Sequence, residues 1–449
     1  MRSGQDHKAV RVPTRRRSLS RGNFLRLGGA GLAGAALLGS GAVAGCGPPK
    51  DEGPTKLVFS HGEDTEILRR QISRFNRQHR GEVEVELRLA PADTGQYFEK
   101  LRTEFQSGET KADVISGDVI WPAQFAANGW ISDVSDRFPE SARQEFLPAP
   151  VQSLVYEGKI YGAPWFTDAG MLYYRADLLE KSGFAEPPAT WDELKEMARK
   201  VTQDQGVKNG FVFQGANYEG GTVNGLEYIW THGGDVLDGE KVIIDSPESV
   251  AGLETERSMI ADGIATQAVS TYKEQENDGA FLGGETVFCR NWPYMYALAQ
   301  DPEVSKIEPA QIGISPLPAG SESNSRQVSA LGGWNMMINA SSQKQEEAWE
   351  FVKWMTGEEG QRQRALAATL LPTRKALYED EEILEKVPVI RLGKEALQRT
   401  KPRPVSPYYS DMSLKMAEQF NLSLKGATSP REAIQTLQKE LTSIAEQAQ

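Results

Sequence analysis

The chain has 449 residues, 39% hydrophobic and 25% charged, and its 62 Asp and Glu outweigh 50 Lys and Arg for a net charge of −12. So acidic a surface repels nucleic acid and anionic lipid headgroups, which argues against both as partners. Two cysteines and four scattered histidines leave no disulfide framework and no zinc-ligand spacing, so neither a metal nor another cofactor is expected.

Residues 1–26 carry eight Lys/Arg and one acid, and 27–45 carry no charge at all before Cys46. A basic start, a short weakly apolar run and small residues at Val43-Ala44-Gly45 describe a secretory signal over 1–45. The Cys directly after Ala-Gly resembles a bacterial lipoprotein signal, which implies that Cys46 is lipidated and anchors the protein outside the cell. The Gly/Ala-rich run is too weakly apolar for a spanning helix. Ser20-Arg21-Gly22-Asn23-Phe24-Leu25 lacks the second Arg of a twin-arginine motif, so the export route stays open. Residues 46–55, with three prolines, form a short tether.

From there strands and helices alternate. A strand at 56–60 leads to a helix at 63–79 with Ile67, Leu68, Ile72 and Phe75 on one face. The alternating run 82–89 is a half-buried strand, followed by a helix at 97–105, a strand at 112–116 and a helix from Trp121. A hairpin at 155–162 delivers the chain to 164–175, an aromatic and polar corner holding Asp168 followed by the apolar strand 171–174. Further strands are expected at 211–213, 241–244, 286–289, 312–314 and 331–338. Helices are expected at 191–201, 223–230, from Pro247, from 291, at 345–355, 358–367, 411–424 and 430–448. Such alternation indicates an α/β fold with a mostly parallel sheet.

Several short motifs occur in a telling order. They are Asp118-x-x-Trp121, Leu172-Tyr173-Tyr174-Arg175, Thr190-Trp191-Asp192-Glu193-Leu194, Arg290-Asn291-Trp292-Pro293-Tyr294, Gly332-Gly333-Trp334 and Arg403 ahead of Pro407-Tyr408-Tyr409. Together they resemble the extracellular solute-binding lipoproteins of ABC importers, maltose-binding type (family 1), nearest the trehalose/maltose-binding branch. The resemblance implies a two-lobed, type II periplasmic-binding-protein-like fold with a ligand cleft between lobes. It implies three hinge crossings, near 166–169, 288–291 and 371–373. One lobe would be 56–165 plus 291–370, the other 168–288 plus 373–449. It further implies a monomer that binds a di- or oligosaccharide, delivers it to ABC permease subunits and performs no catalysis.

A sugar needs directional acceptors for its hydroxyls and a flat apolar face for its C–H surface, which suits carboxylates, an Arg and Trp. With the resemblance, Glu63, Asp118, Asp168, Trp292, Gly332, Gly333, Trp334 and Arg403 form the expected ligand set. Phe166, Gln96, Glu274, Asn277 and Trp121 are weaker candidates. Each has a plainer alternative: Asp118 as a helix cap, Glu63 as a first-turn acid, Asp168 as a turn cap, the tryptophans as core, Arg403 as a solvated surface residue. Two competing functions use the same residues. A polyamine would also choose carboxylates and aromatics, and a glycoside hydrolase would need two carboxyls flanking one bond.

Overall fold

The computed structural model describes residues 53–446; the signal-like segment, Cys46 and most of the tether lie outside them. The described chain opens with β1 (Thr55–His61), α1 (Glu66–Gln78), β2 (Val83–Leu89), α2 (Thr94–Ser107) and β3 (Val114–Asp118). In α1, Leu68, Ile72 and Phe75 bury one stripe, and the Thr65 side chain caps the helix by accepting from the Leu68 N–H. Because Thr65 takes the cap, Glu63 stays in the loop between β1 and α1 and is not the opening residue of the helix.

The strands β4 (Ala163–Ala169) and β5 (Met171–Arg175) follow, separated only by Gly170. Then comes α3 (Trp191–Gln205), whose Thr190 and Glu193 close a reciprocal capping box, the physical meaning of the Thr190-to-Leu194 motif. Next are β6 (Asn209–Val212), α4 (Glu219–Thr231), α5 (Pro247–Ala261), α6 (Glu274–Leu282), β7 (Thr286–Asn291), β8 (Ile312–Ser315) and β9 (Ser329–Ile338). The chain ends with α7 (Glu358–Ala368), β10 (Thr400–Lys401), α8 (Tyr409–Leu424) and α9 (Pro430–Glu446), among shorter helices.

Two sheets organise two lobes. The larger has the order β10–β9–β3–β1–β2, with β4 also paired to β9; the smaller has the order β8–β5–β7–β6. Leu57, Phe59, Phe75, Tyr97, Phe125 and Trp165 fill the core around the first sheet. Leu172, Phe211, Phe213, Phe281 and Phe288 fill the core around the second. A third apolar cluster joins α4, α5, α8 and α9 through Leu226, Trp230, Leu253, Phe420 and Leu437.

Three sequence expectations need correction. The sheets are mixed and not mostly parallel: β9 runs antiparallel to both β3 and β4, and β5 antiparallel to both β7 and β8. The strand expected at 241–244 shrinks to Lys241–Val242, paired with Leu237–Asp238. The chain also does not leave the second sheet at 288–291. After β7 it returns as β8 on β5, and Met295, Ala299, Ile307 and Leu317 join that sheet's core, so the return to the first sheet comes only with β9. Alternating apolar residues at Ile312 and Ile314 identify a strand, but periodicity carries no information about its partner.

The junction is built on a buried ion pair. Arg290, 1% exposed on β7, donates from Nε and Nη2 to the two oxygens of Glu227 on α4, at 2.7 and 2.6 Å. Glu227 Oε1 also accepts the Ala330 N–H at 2.9 Å, tying in the start of β9. A Cβ on Gly170 would sit 2.2 Å from that same oxygen, so only glycine lets β4 turn into β5 there. Leaving one buried charge unpaired is expected to destabilise by about 3–5 kcal/mol. Glu227→Ala should therefore lower the denaturation midpoint sharply. The double variant Glu227→Leu/Arg290→Met should recover much of the loss, as read by urea unfolding of the three proteins.

Candidate functional site: an acidic and aromatic cleft

Strand direction gathers the carboxylates. β1 and β3 are parallel, and β4, reached from β3 through two antiparallel pairings with β9, runs the same way. The residues at their carboxyl ends therefore share one edge of the sheet, the edge where open α/β sheets hold ligands. Asp118 ends β3 opposite Trp334, Asp168 lies opposite Gly332 near the end of β4, and Glu63 follows β1. Asp118 is not the helix cap of the plainer reading. Its Oδ1 accepts the Ile120 N–H at 3.3 Å within a turn, while Trp121 holds the cap position without a side-chain bond.

These acids are electrostatically coupled. Burial pushes the Asp168 carboxyl well above its ordinary range, and the Asp118 charge adds to the effect while Arg290 opposes it. Burial also raises Asp118, against the pull of Arg403. Glu63 is exposed, yet the protein crowding it raises its carboxyl too, with Arg364 opposing. Asp168 Oδ1 is buried and accepts no hydrogen bond from the protein. A buried acceptor left open in this way is expensive unless something else fills it.

Two tryptophans face the acids. Trp334, half-buried, is wedged by His61 at 5.8 Å, Trp121 at 5.5 Å and Tyr97 at 6.3 Å between ring centroids. Trp121 is 3% exposed and packs against Trp334, so it supports that ring. His61 Nδ1 lies 2.7 Å from Ser116 Oγ, and burial holds its pKa at about 3, so the ring is neutral at physiological pH. Trp292 lies across Gly332: a Cβ there would meet its ring at 3.0 Å. Its other support is the Arg290 guanidinium, 4.0 Å from the ring centroid. Gly333, at φ +122°, would drive a Cβ to 2.5 Å from the Phe166 carbonyl oxygen. The glycine pair thus admits Trp292 and the neighbouring backbone. Phe166 is 9% exposed and packs against Trp165.

Arg403 is engaged by two carboxylates of the chain itself. It is 4% exposed, and its two terminal nitrogens are taken: Nη2 donates to Asp118 at 2.8 Å and Nη1 to Glu219 at 2.6 Å. Glu219 also accepts from the Tyr409 and Ser413 hydroxyls. Burial alone would lower the Arg403 pKa, but Asp118 and Glu219 outweigh it and hold the guanidinium charged. The residue bridges the first sheet to α4 and α8. Glu219 carried no signal in the sequence, because an acid in the first turn of a helix is ordinary there.

The weaker candidates divide. Glu274 is half-buried at the start of α6, where burial raises its carboxyl. Gln96 is exposed, and only its backbone N–H is engaged, by Asp93 at 2.9 Å. Asn277 is fully buried and donates to the Arg290 carbonyl at 2.9 Å, so it supports β7 and is not an edge contact. A rim contact that the sequence did not reveal joins the two helix starts: Lys273, ahead of α6, pairs with Asp93, the cap of α2. Among the described residues no group of His, Cys, Asp or Glu is arranged to hold a metal. What the arrangement offers is open acceptors beside flat apolar faces.

Comparison with known proteins agrees with this architecture. A probable ABC transporter-binding protein of Deinococcus radiodurans is 36% identical over 341 residues, covering 74% of this chain and 80% of that protein. The solved structure of maltose-bound T. maritima MalE3 aligns at a TM-score of 0.82 with 39% identity, over 87% of this chain and 99% of that one. The GacH receptor of Streptomyces glaucescens, solved unliganded and with acarbose, shares the fold at a TM-score of 0.78 and 24% identity, over 88% and 99% of the two chains. Residues 60–362 match the profile of one family, and the chain belongs to it: the bacterial extracellular solute-binding proteins.

Proposed function

We propose that this protein is the carbohydrate-capturing component of an ABC importer, taking a trehalose- or maltose-like di- or oligosaccharide in the interlobe cleft. It is exported, held at the outer face of the membrane by a lipid on Cys46, acts as a monomer and passes the sugar to the permease without converting it. The observation that carries the reading is Asp168: a buried carboxylate oxygen with no protein donor, beside Trp292 and within the same edge as Trp334. Sugar hydroxyls would supply the missing donors, and the two indoles would cover the C–H faces. Glu63 and Asp118 add further acceptors. Lobe closure about the chain crossings would bury the ligand, with the closed state favoured by its tighter binding. The MalE3 comparison supports the maltose-like choice, since that protein is solved with maltose. A polyamine is the second reading, favoured by the mutual repulsion of Asp168, Asp118 and Glu63, which a cation would relieve.

Calorimetry against maltose, trehalose and longer oligosaccharides, with spermidine as control, decides between the two. Saturable sugar binding is expected; a response to spermidine alone would overturn the assignment. Asp168→Asn should weaken sugar binding by about tenfold and Trp334→Ala by ~1–3 kcal/mol while both fold normally, since one loses a charge-assisted acceptor and the other an aromatic platform.

Binding should also depend on pH with a definite sign. A hydroxyl donating to Asp168 favours the ionised carboxylate, whereas burial in the free protein favours the protonated one. Affinity should therefore rise with pH across the raised titration range and level off above it, with protons released on binding. Titrations in buffers of different ionisation enthalpy read that release directly, and Asp168→Asn should reduce it. The Lys273–Asp93 pair ties the start of α6 to the start of α2. Lys273→Met is expected to weaken binding a few-fold, mainly through faster dissociation, by about the 0.2–1 kcal/mol of a solvent-accessible pair. Stopped-flow dissociation rates check this.

A further inference from the structure

Trp292 is held by more than the Arg290 face against its ring. Its N–H donates to Asn291 Oδ1 at 2.8 Å, and its carbonyl accepts from the Tyr173 hydroxyl at 2.9 Å. The Pro293 carbonyl accepts from the Thr369 hydroxyl at 2.9 Å, and proline has no N–H to satisfy. The Asn291 amide, fully buried, can face only one way, because its Oδ1 also accepts from Gln214 at 3.2 Å. That leaves its Nδ2 to donate to Asp278 Oδ1, at 2.5 Å. On the far side of the step, the Tyr294 hydroxyl lies 3.1 Å from both Asp278 oxygens. One carboxylate on α6 therefore holds the residues before and after Trp292-Pro293 together.

We propose that Asp278 is a positioning residue for Trp292: by accepting from Asn291 and Tyr294 it clamps the Trp292-Pro293 step and fixes the angle at which the indole meets a ligand. The inference rests on the ligand-facing role given to Trp292 above. A carboxylate suits the task, because its two oxygens accept several bonds at once and its charge makes them stronger than neutral ones. Neither Asn291 nor Tyr294 reaches the ligand in this account; each passes the constraint to the indole through the backbone.

The clamp depends on the charge of Asp278. Burial lifts its carboxyl to about 7, while the bonds from Asn291 and Tyr294 oppose the rise. A proton would fill one oxygen and set an O–H against donors already aimed there, so the clamp loosens as pH falls through that range. Glu274 and Glu276, on the same helix, add to the rise. Cys289 from β7 and Tyr173 from β5 also face the carboxylate, and burial keeps the thiol and the phenol neutral. Tyr294 is held neutral in the same way. Among the described residues no Lys, Arg or His lies within ion-pair distance of Asp278.

The test labels the protein with fluorotryptophan and follows Trp292 by fluorine NMR without ligand, its signal assigned by its loss in Trp292→Phe. In wild type the resonance should titrate with a midpoint of about 7. Asp278→Asn should abolish that step, whereas Asp168→Asn should leave it. No step in wild type, or the same step in Asp278→Asn, overturns the proposal. Tyr294→Phe removes a bond that favours the ionised carboxylate, so it should raise the midpoint. By calorimetry with maltose at a pH above the step, Asp278→Asn should weaken binding about tenfold. In the Trp292→Ala background it should cause no further loss; an equal loss there also overturns the proposal. Should wild type bind no maltose while the resonance still titrates, the clamp stands and the sugar reading falls. If Asp278→Asn does not fold, Tyr294→Phe decides, and an unmoved midpoint in it overturns the proposal.

Discussion

The structure depends on the Arg290–Glu227 pair. It sits where the chain passes between sheets, and each of its atoms has a structural partner. Arg290 fixes β7 to α4, Glu227 receives the start of β9 through Ala330, and Gly170 exists as glycine because Glu227 occupies the space beside it. The face of the guanidinium then becomes the seat for Trp292. A buried ion pair is weak as a source of stability but specific in geometry, since two planar groups accept few arrangements. The junction uses that specificity to hold an aromatic surface at the cleft.

Charges nearer the ligand edge are divided by how fully they are satisfied. Arg403 gives both terminal nitrogens to Asp118 and Glu219, so it joins parts of the fold that are distant in sequence, while its buried Nε has no partner. Asp168 retains an open acceptor. Satisfied groups hold the cleft in shape, and the open Asp168 oxygen is where a ligand would complete the set.

Much of this was legible in the chain order. Apolar stripes specified the helices, as with Leu68, Ile72 and Phe75 for α1. The motif series pointed to the family, and the Asp118, Asp168 and Trp334 it singled out stand near one edge of the first sheet, with Trp292 packed against Gly332. Glu219 and Lys273 were silent, because an acid or a base near a helix end looks the same whether it faces water or a partner 180 residues away.

The sequence by itself determined the local elements and the residue types available at their ends, because capping, periodicity and turn chemistry act over a few residues. Tertiary structure alone decided that β8 folds back onto β5, delaying the second crossing until β9. It also decided that Arg403 bridges two carboxylates, that Glu63 belongs to the loop between β1 and α1, and that the two glycines admit Trp292 and a neighbouring strand. Those outcomes depend on strand pairing and on which charge is desolvated beside which. Both are properties of long-range packing, to which a periodic pattern along the chain is blind.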